Sequence, residues 1–135
     1  MTHRTAISRT YCLPALHTLS GAGFSDRQNL RVFGPCSRLH GHDYRIEVSV
    51  SGPLDPHSGL LVNRDVLDQI VDDCLIQPYR GTNLSDHFRH TTGEALAASF
   101  FELLKRALPS SLTLEKVCVH ETAKNSFSTE HRCPA

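Results

Sequence analysis

From Asp43 to Ser51 apolar Tyr44, Ile46, Val48 and Val50 alternate with polar Arg45, Glu47, Ser49 and Ser51. A period of two marks a strand with one buried face and one wet face. His40 and His42 share the parity of the apolar set, so both imidazoles are expected on the inward face. Upstream, Leu16-His17-Thr18-Leu19 reads as the end of a first strand that could lie beside the second. The stretch Gly52 to Gly59 is rich in turn formers and predicts a reversal into a short strand at Leu60-Leu61-Val62, making a hairpin.

The period then changes. Asn63 is a candidate N-cap, and Val66, Leu67, Ile70, Val71, Cys74 and Leu75 recur at helical spacing until Pro78, which is expected to end the helix. A second helix is predicted from a capping box at Thr91 and Glu94, with Leu96, Phe100, Leu103, Leu104 and Leu108 on its buried face and Pro109 beyond it. Leu114, Val117 and Val119 suggest a last strand that closes at His120-Glu121-Thr122. Half-buried strands with two amphipathic helices define an α+β class, an antiparallel sheet covered on one side.

The 135 residues, 39% hydrophobic and 21% charged, fit a single domain spanning residues 1–135. Lys plus Arg and Asp plus Glu stand at 14 each, which leaves no electrostatic footprint for nucleic acid or an anionic membrane; a small-molecule partner is expected. No apolar run approaches the ~20 residues that cross a bilayer. Five cysteines at irregular spacing, with no secretory pattern at the amino terminus, predict a cytoplasmic protein with free thiols. Cys12, Cys74 and Cys118 read as core residues, and His3, His57 and His131 as surface.

The chemistry concentrates in Cys36-Ser-Arg-Leu-His40-Gly-His42. With His17 as third ligand, three neutral imidazoles and an open fourth position make a catalytic zinc site, whereas structural zinc usually closes its shell with four protein ligands. No Cys-x-x-Cys pair is present to suggest the structural version.

The order His17, Cys36-x-x-x-His40-Gly-His42-x-Tyr44, Gly59-Leu-Leu-Val-Asn63, Thr92-Gly-Glu-Ala-Leu-Ala97 and Glu121-Thr122 resembles the 6-pyruvoyl-tetrahydropterin synthase and 6-carboxy-tetrahydropterin synthase family over nearly the whole chain. The resemblance implies a tunnelling fold: an antiparallel four-stranded sheet with two helices on one face, three copies closing into a barrel, and trimers paired as homohexamers with the active site between subunits. It further implies that His17, His40 and His42 hold zinc, which binds the side-chain oxygens of 7,8-dihydroneopterin triphosphate, and that Cys36 is the general base. Glu121 would anchor the pterin, with Thr91 and Thr92 beside its ring.

One departure stands out. Where members usually carry Leu-Asp-His, this chain has Tyr79-Arg80-Gly81; Asp86-His87 and His90 are the candidate substitutes for the missing dyad. The three-residue gap between Cys36 and His40 resembles the 6-carboxy synthases of the queuosine and 7-deazaguanine route, whereas the segment from Phe24 to Gly34 looks like the longer loop of pyruvoyl synthases. The expected product is 6-carboxy-5,6,7,8-tetrahydropterin. The alternatives are the 6-pyruvoyl product and a diverged zinc-dependent pterin-binding protein.

Overall fold

The computed structural model describes residues 4–132. Its sheet contains β1 (Ala6–His17), β2 (His40–Ser51), β3 (Thr113–His120) and β4 (Ser126–Glu130), all antiparallel and side by side in chain order. The alternation over 43–51 is a strand as predicted. Tyr44, Ile46, Val48 and Val50 are fully buried against Leu67, Val71 and Leu75 of one helix and Leu96, Phe100 and Leu104 of another. The apolar stripes of both helices thus enter one core with the inward sheet face.

The fourth strand is not where the sequence put it. Leu60-Leu61-Val62 forms no strand, because the turn before it satisfies its own backbone: Gly59 N–H donates to Asp55 O at 2.8 Å and Asp55 N–H to Leu60 O at 2.8 Å. The Asp55 carboxylate takes the His57 amide as well. The fourth strand is β4, which pairs with β3 through Lys116 opposite Glu130 and His120 opposite Ser126.

The helices also depart from expectation. A first helix, α1 (Asp26–Phe33), occupies the segment read as a loop, opened by a reciprocal capping box between Ser25 and Gln28. Helix α2 (Arg64–Val71), N-capped by Asn63, does not stop before Pro78. It passes through a π turn at Asp72–Ile76, where Gln77 N–H reaches back five residues to Asp72 O, and ends in a further α turn at Gln77–Tyr79. The wider turn carries the helix past a residue that has no N–H to donate. In α3 (Gly93–Ala107) the N-cap is Thr92, whose hydroxyl accepts from Ala95 N–H; Thr91 and Glu94 do not form the predicted capping box.

β1 is fastened to α2 by side chains. Arg9 grips the Asp68 carboxylate with two N–H donors at 2.7 and 2.9 Å, and Tyr11 O–H donates to the same carboxylate at 2.7 Å. Cys12 is exposed rather than in the core, because it alternates with buried Leu13 and points to the outer sheet face opposite Arg45. Cys118 is buried, Cys74 half-buried, and His57 and His131 lie on the surface. His3 and Cys133 fall outside the described residues. Among the described residues, no helix is long and apolar enough to cross a membrane.

Candidate metal centre

The β1–β2 register builds the site. His17 lies directly across from His40, and Ala15 across from His42, so the three imidazoles meet at one end of the two strands on the inward face. Their ring centroids are 4.4, 5.0 and 4.9 Å apart, and one ligand nitrogen of each lies within 4.8 Å of the other two. A sequence separation of two within β2 and a cross-strand pair bring three candidate ligands together.

The residues fit a metal ion. His17 Nδ1 is 2.8 Å from Thr91 O and His40 Nδ1 is 2.6 Å from Arg38 O. Donation from Nδ1–H to a carbonyl leaves the Nε2 lone pair free, which is how a ligating imidazole is usually oriented. The Nε2 atoms of His17, His40 and His42 are all buried without a hydrogen-bond partner. Buried polar atoms are normally satisfied, and a single cation satisfies these three together. Burial of His17 lowers its pKa from the usual 6.5, favouring the neutral form that binds metal.

Two neighbours complete the surroundings. Continuing the register that pairs Arg45 with His120 brings Glu121 to the level of Tyr44, and its carboxylate lies 3.3 Å from His42 Nε2. Glu121 is therefore beside the three histidines, half-buried just past the end of β3. Tyr44 is fully buried, its ring 5.3 Å from that of His42 and 5.8 Å from that of His17, and its hydroxyl has no partner. Burial pushes its pKa well above 10. Sequence reasoning counted Tyr44 as a core residue and included it in the motif without giving it a role; its parity with His40 and His42 was the signal that it lies beside them.

Cys36 sits exposed in a 3-10 turn at Gly34–Ser37, and its carbonyl accepts from Leu19 N–H at 2.9 Å, which ties the turn to the chain leaving His17. Its sulfur is not among the ligand atoms gathered at the histidines. Thr91 is buried and commits its hydroxyl to Thr18 O at 3.1 Å, while Thr92 remains half-exposed at the start of α3. Asp86, His87 and His90 are exposed; the His87 ring packs edge-on against Tyr79 at 5.2 Å and contributes no atom to the histidine group. Gly81 N–H bonds Pro14 O, and Thr82 O accepts from Leu16 N–H, so the Arg80-Gly81 segment lies along the end of β1. Gly81, Leu16, Gly41 and His42 line a shallow cavity of about 370 Å³ there.

An α+β protein whose sheet brings together three imidazoles with Nε2 atoms free of hydrogen bonds carries a possible metal-binding site. The match to known families narrows this. The family model for 6-pyruvoyl tetrahydropterin synthase matches residues 6–132, and the chain belongs to that family of pterin-processing enzymes. It is 33% identical over 126 residues to the 6-pyruvoyl tetrahydrobiopterin synthase of Poecilia reticulata, covering 88% of this chain and 85% of that one. It is 31% identical over 111 residues to the 6-carboxy-5,6,7,8-tetrahydropterin synthase of Bacillus subtilis, covering 77% and 74%. Among solved structures, 6-pyruvoyl tetrahydropterin synthase of Caenorhabditis elegans superposes with a TM-score of 0.86 at 29% identity, covering 96% of this chain and 97% of that one.

Proposed function

We propose that this chain is a zinc-dependent lyase converting 7,8-dihydroneopterin triphosphate to 6-carboxy-5,6,7,8-tetrahydropterin. The observation that carries the proposal is the convergence of three buried Nε2 atoms, none with a hydrogen bond, on the sheet of a pterin-processing fold. His17, His40 and His42 would hold zinc, which when bound would supply Lewis-acid chemistry at the oxygens and the adjacent C–H of the pterin side chain. Cys36 takes that proton as general base. Glu121 accepts hydrogen bonds from the ring N–H and exocyclic amine, a role favoured by its half-buried position beside His42. Thr91 holds His17 in its ligating orientation, and Thr92 contacts the ring from the start of α3.

The three-residue gap between Cys36 and His40 favours the carboxy product. A second reading, 6-pyruvoyl-tetrahydropterin synthase, is supported by the fuller coverage of relatives bearing that name, 88% of the chain against 77%. Replacement of the usual Asp-His pair by Arg80-Gly81, next to a cavity that includes His42, supports a third: a pterin-binding protein with altered or lost turnover. His87 takes part in the first two readings only if the loop carrying it turns from solvent toward substrate.

The proposal includes a trimeric barrel, paired as a hexamer, in the cytoplasm. Supporting the assembly, β1 and β4 are open edges, and Phe24, Leu30, Val32 and Leu39 expose large apolar side chains around α1 and the turn leading to His40. Incubating zinc-loaded protein with 7,8-dihydroneopterin triphosphate and weighing the products tests the function. The 6-carboxy product supports the proposal; the 6-pyruvoyl product transfers it to the second reading, and bound but unchanged pterin to the third.

A further inference from the structure

The sheet face turned away from the helices carries a second group of metal-ligating side chains. Glu47 lies directly across from Cys118 in the β2–β3 register, and His120 lies two residues further along β3 on the same face. One ligand atom from each lies within 4.8 Å of the other two, with His120 Nε2 3.9 Å from a Glu47 carboxylate oxygen. Cys118 is only 6% exposed and its thiol is free, aimed into a group that contains a carboxylate and an imidazole.

We propose that Glu47, Cys118 and His120 form a second, thiolate-containing site for a zinc-class divalent ion, separate from the tri-histidine centre. A tetrahedral ion with bonds of about 2.0–2.3 Å holds its ligands roughly 3.3–3.8 Å apart, so rotation of two part-exposed side chains closes the present spacing. Thiolate, imidazole and carboxylate together suit a borderline-soft ion and disfavour magnesium or calcium, which take all-oxygen shells. Binding releases the Cys118 proton to solvent, leaving one negative charge on sulfur and one on Glu47 to balance the dication. Strand parity separates the two centres: His42 and Glu121 face the helices, whereas Glu47, Cys118 and His120 face away. An ion here clamps together β2 and β3, the strands that bring His42 and Glu121 into contact.

Cobalt(II) is the probe, because a thiolate ligand gives it an intense near-ultraviolet charge-transfer band that an all-imidazole site lacks. In His42→Ala protein, which loses a ligand of the first centre, Co²⁺ is expected to bind with that band present. Cys36→Ser should leave the band, and Cys118→Ser should abolish it. If Cys118→Ser fails to fold, Glu47→Gln and His120→Asn, both altered at part-exposed positions, should each weaken Co²⁺ binding and reduce the band. No thiolate band in the His42→Ala protein, its survival in folded Cys118→Ser, its loss in Cys36→Ser, or an unchanged band in both Glu47→Gln and His120→Asn overturns the proposal.

Discussion

His17 Nδ1 lies 2.8 Å from the carbonyl oxygen of Thr91, 74 residues away in the chain, and this contact joins the end of β1 to the start of α3 at the histidine trio. The hydroxyl of Thr91 reinforces the join by donating to Thr18 O, which also accepts from Ser85 Oγ at 3.2 Å. Thr91→Val keeps the carbonyl and removes the hydroxyl. It should lower stability by about 1–2 kcal/mol through the lost buried hydrogen bond, and weaken zinc binding by up to roughly tenfold through the loosened orientation of His17. Denaturant unfolding and competition with a zinc chelator read the two effects separately.

Cys36→Ala should reduce turnover by a factor on the order of 10² or more while leaving pterin affinity nearly unchanged, as expected for loss of a positioned general base. Glu121→Ala should instead weaken binding by roughly 1–3 kcal/mol, because it leaves the ring donors unpaired. Steady-state rates and ligand titration on the same preparations distinguish these outcomes. Equal losses of rate in both variants with unaltered binding would reverse the assigned roles.

The Arg9–Asp68–Tyr11 cluster gives β1 an acid-sensitive fastening to α2. Hydrogen bonds from Arg9 hold the Asp68 pKa below its ordinary 3.8. A carboxylate depressed in the folded state contributes stability above its unfolded pKa, and that contribution is lost as pH falls through the lower folded value. Melting temperature followed from neutrality to about pH 2 should therefore fall less steeply below pH 3.8 in Asp68→Asn than in the parent, from a lower neutral starting point. Parallel curves would show that the cluster does not couple to folding.

Gly93 opens α3 directly beneath the ring of Phe127 on β4. A Cβ at that position would collide with the ring, so a side chain there forces the Phe127 ring, or the helix against β4, to shift. Gly93→Ala should cost about 1–3 kcal/mol by overpacking, despite the better helix propensity of alanine. Combining it with Phe127→Ala should recover part of the loss, and thermal melts of the single and double variants measure that coupling.

The sequence revealed β2 and the buried faces of α2 and α3 because each has a period that persists over several residues. It also revealed the histidine trio, since His40 and His42 share the apolar parity of β2 and His17 ends another apolar run. Other elements carried weaker signals. β4 is a five-residue edge strand in which Phe127 is the one large apolar residue, and edge strands need less apolar alternation than central ones. α1 is eight residues long with no buried side chain, so hydrophobic periodicity could not reveal it, although Ser25 and Gln28 stood at capping-box spacing. The apolar Leu60-Leu61-Val62 misled because its neighbours Asp55 and Gly59 close a local turn instead of leaving the backbone free to pair. Glu121 beside His42 follows from the β2–β3 register, which a single sequence does not display.

Zinc content of the wild type and of His42→Ala, measured on equally dialysed and folded samples, tests the central claim most directly. Removal of one of three converging imidazoles should lower the content by about one equivalent per chain, since it leaves only two of the three gathered imidazoles at the site. It should also eliminate pterin turnover. Equal zinc in the two proteins, with turnover retained in the variant, would contradict the assignment of His17, His40 and His42 as the catalytic metal centre.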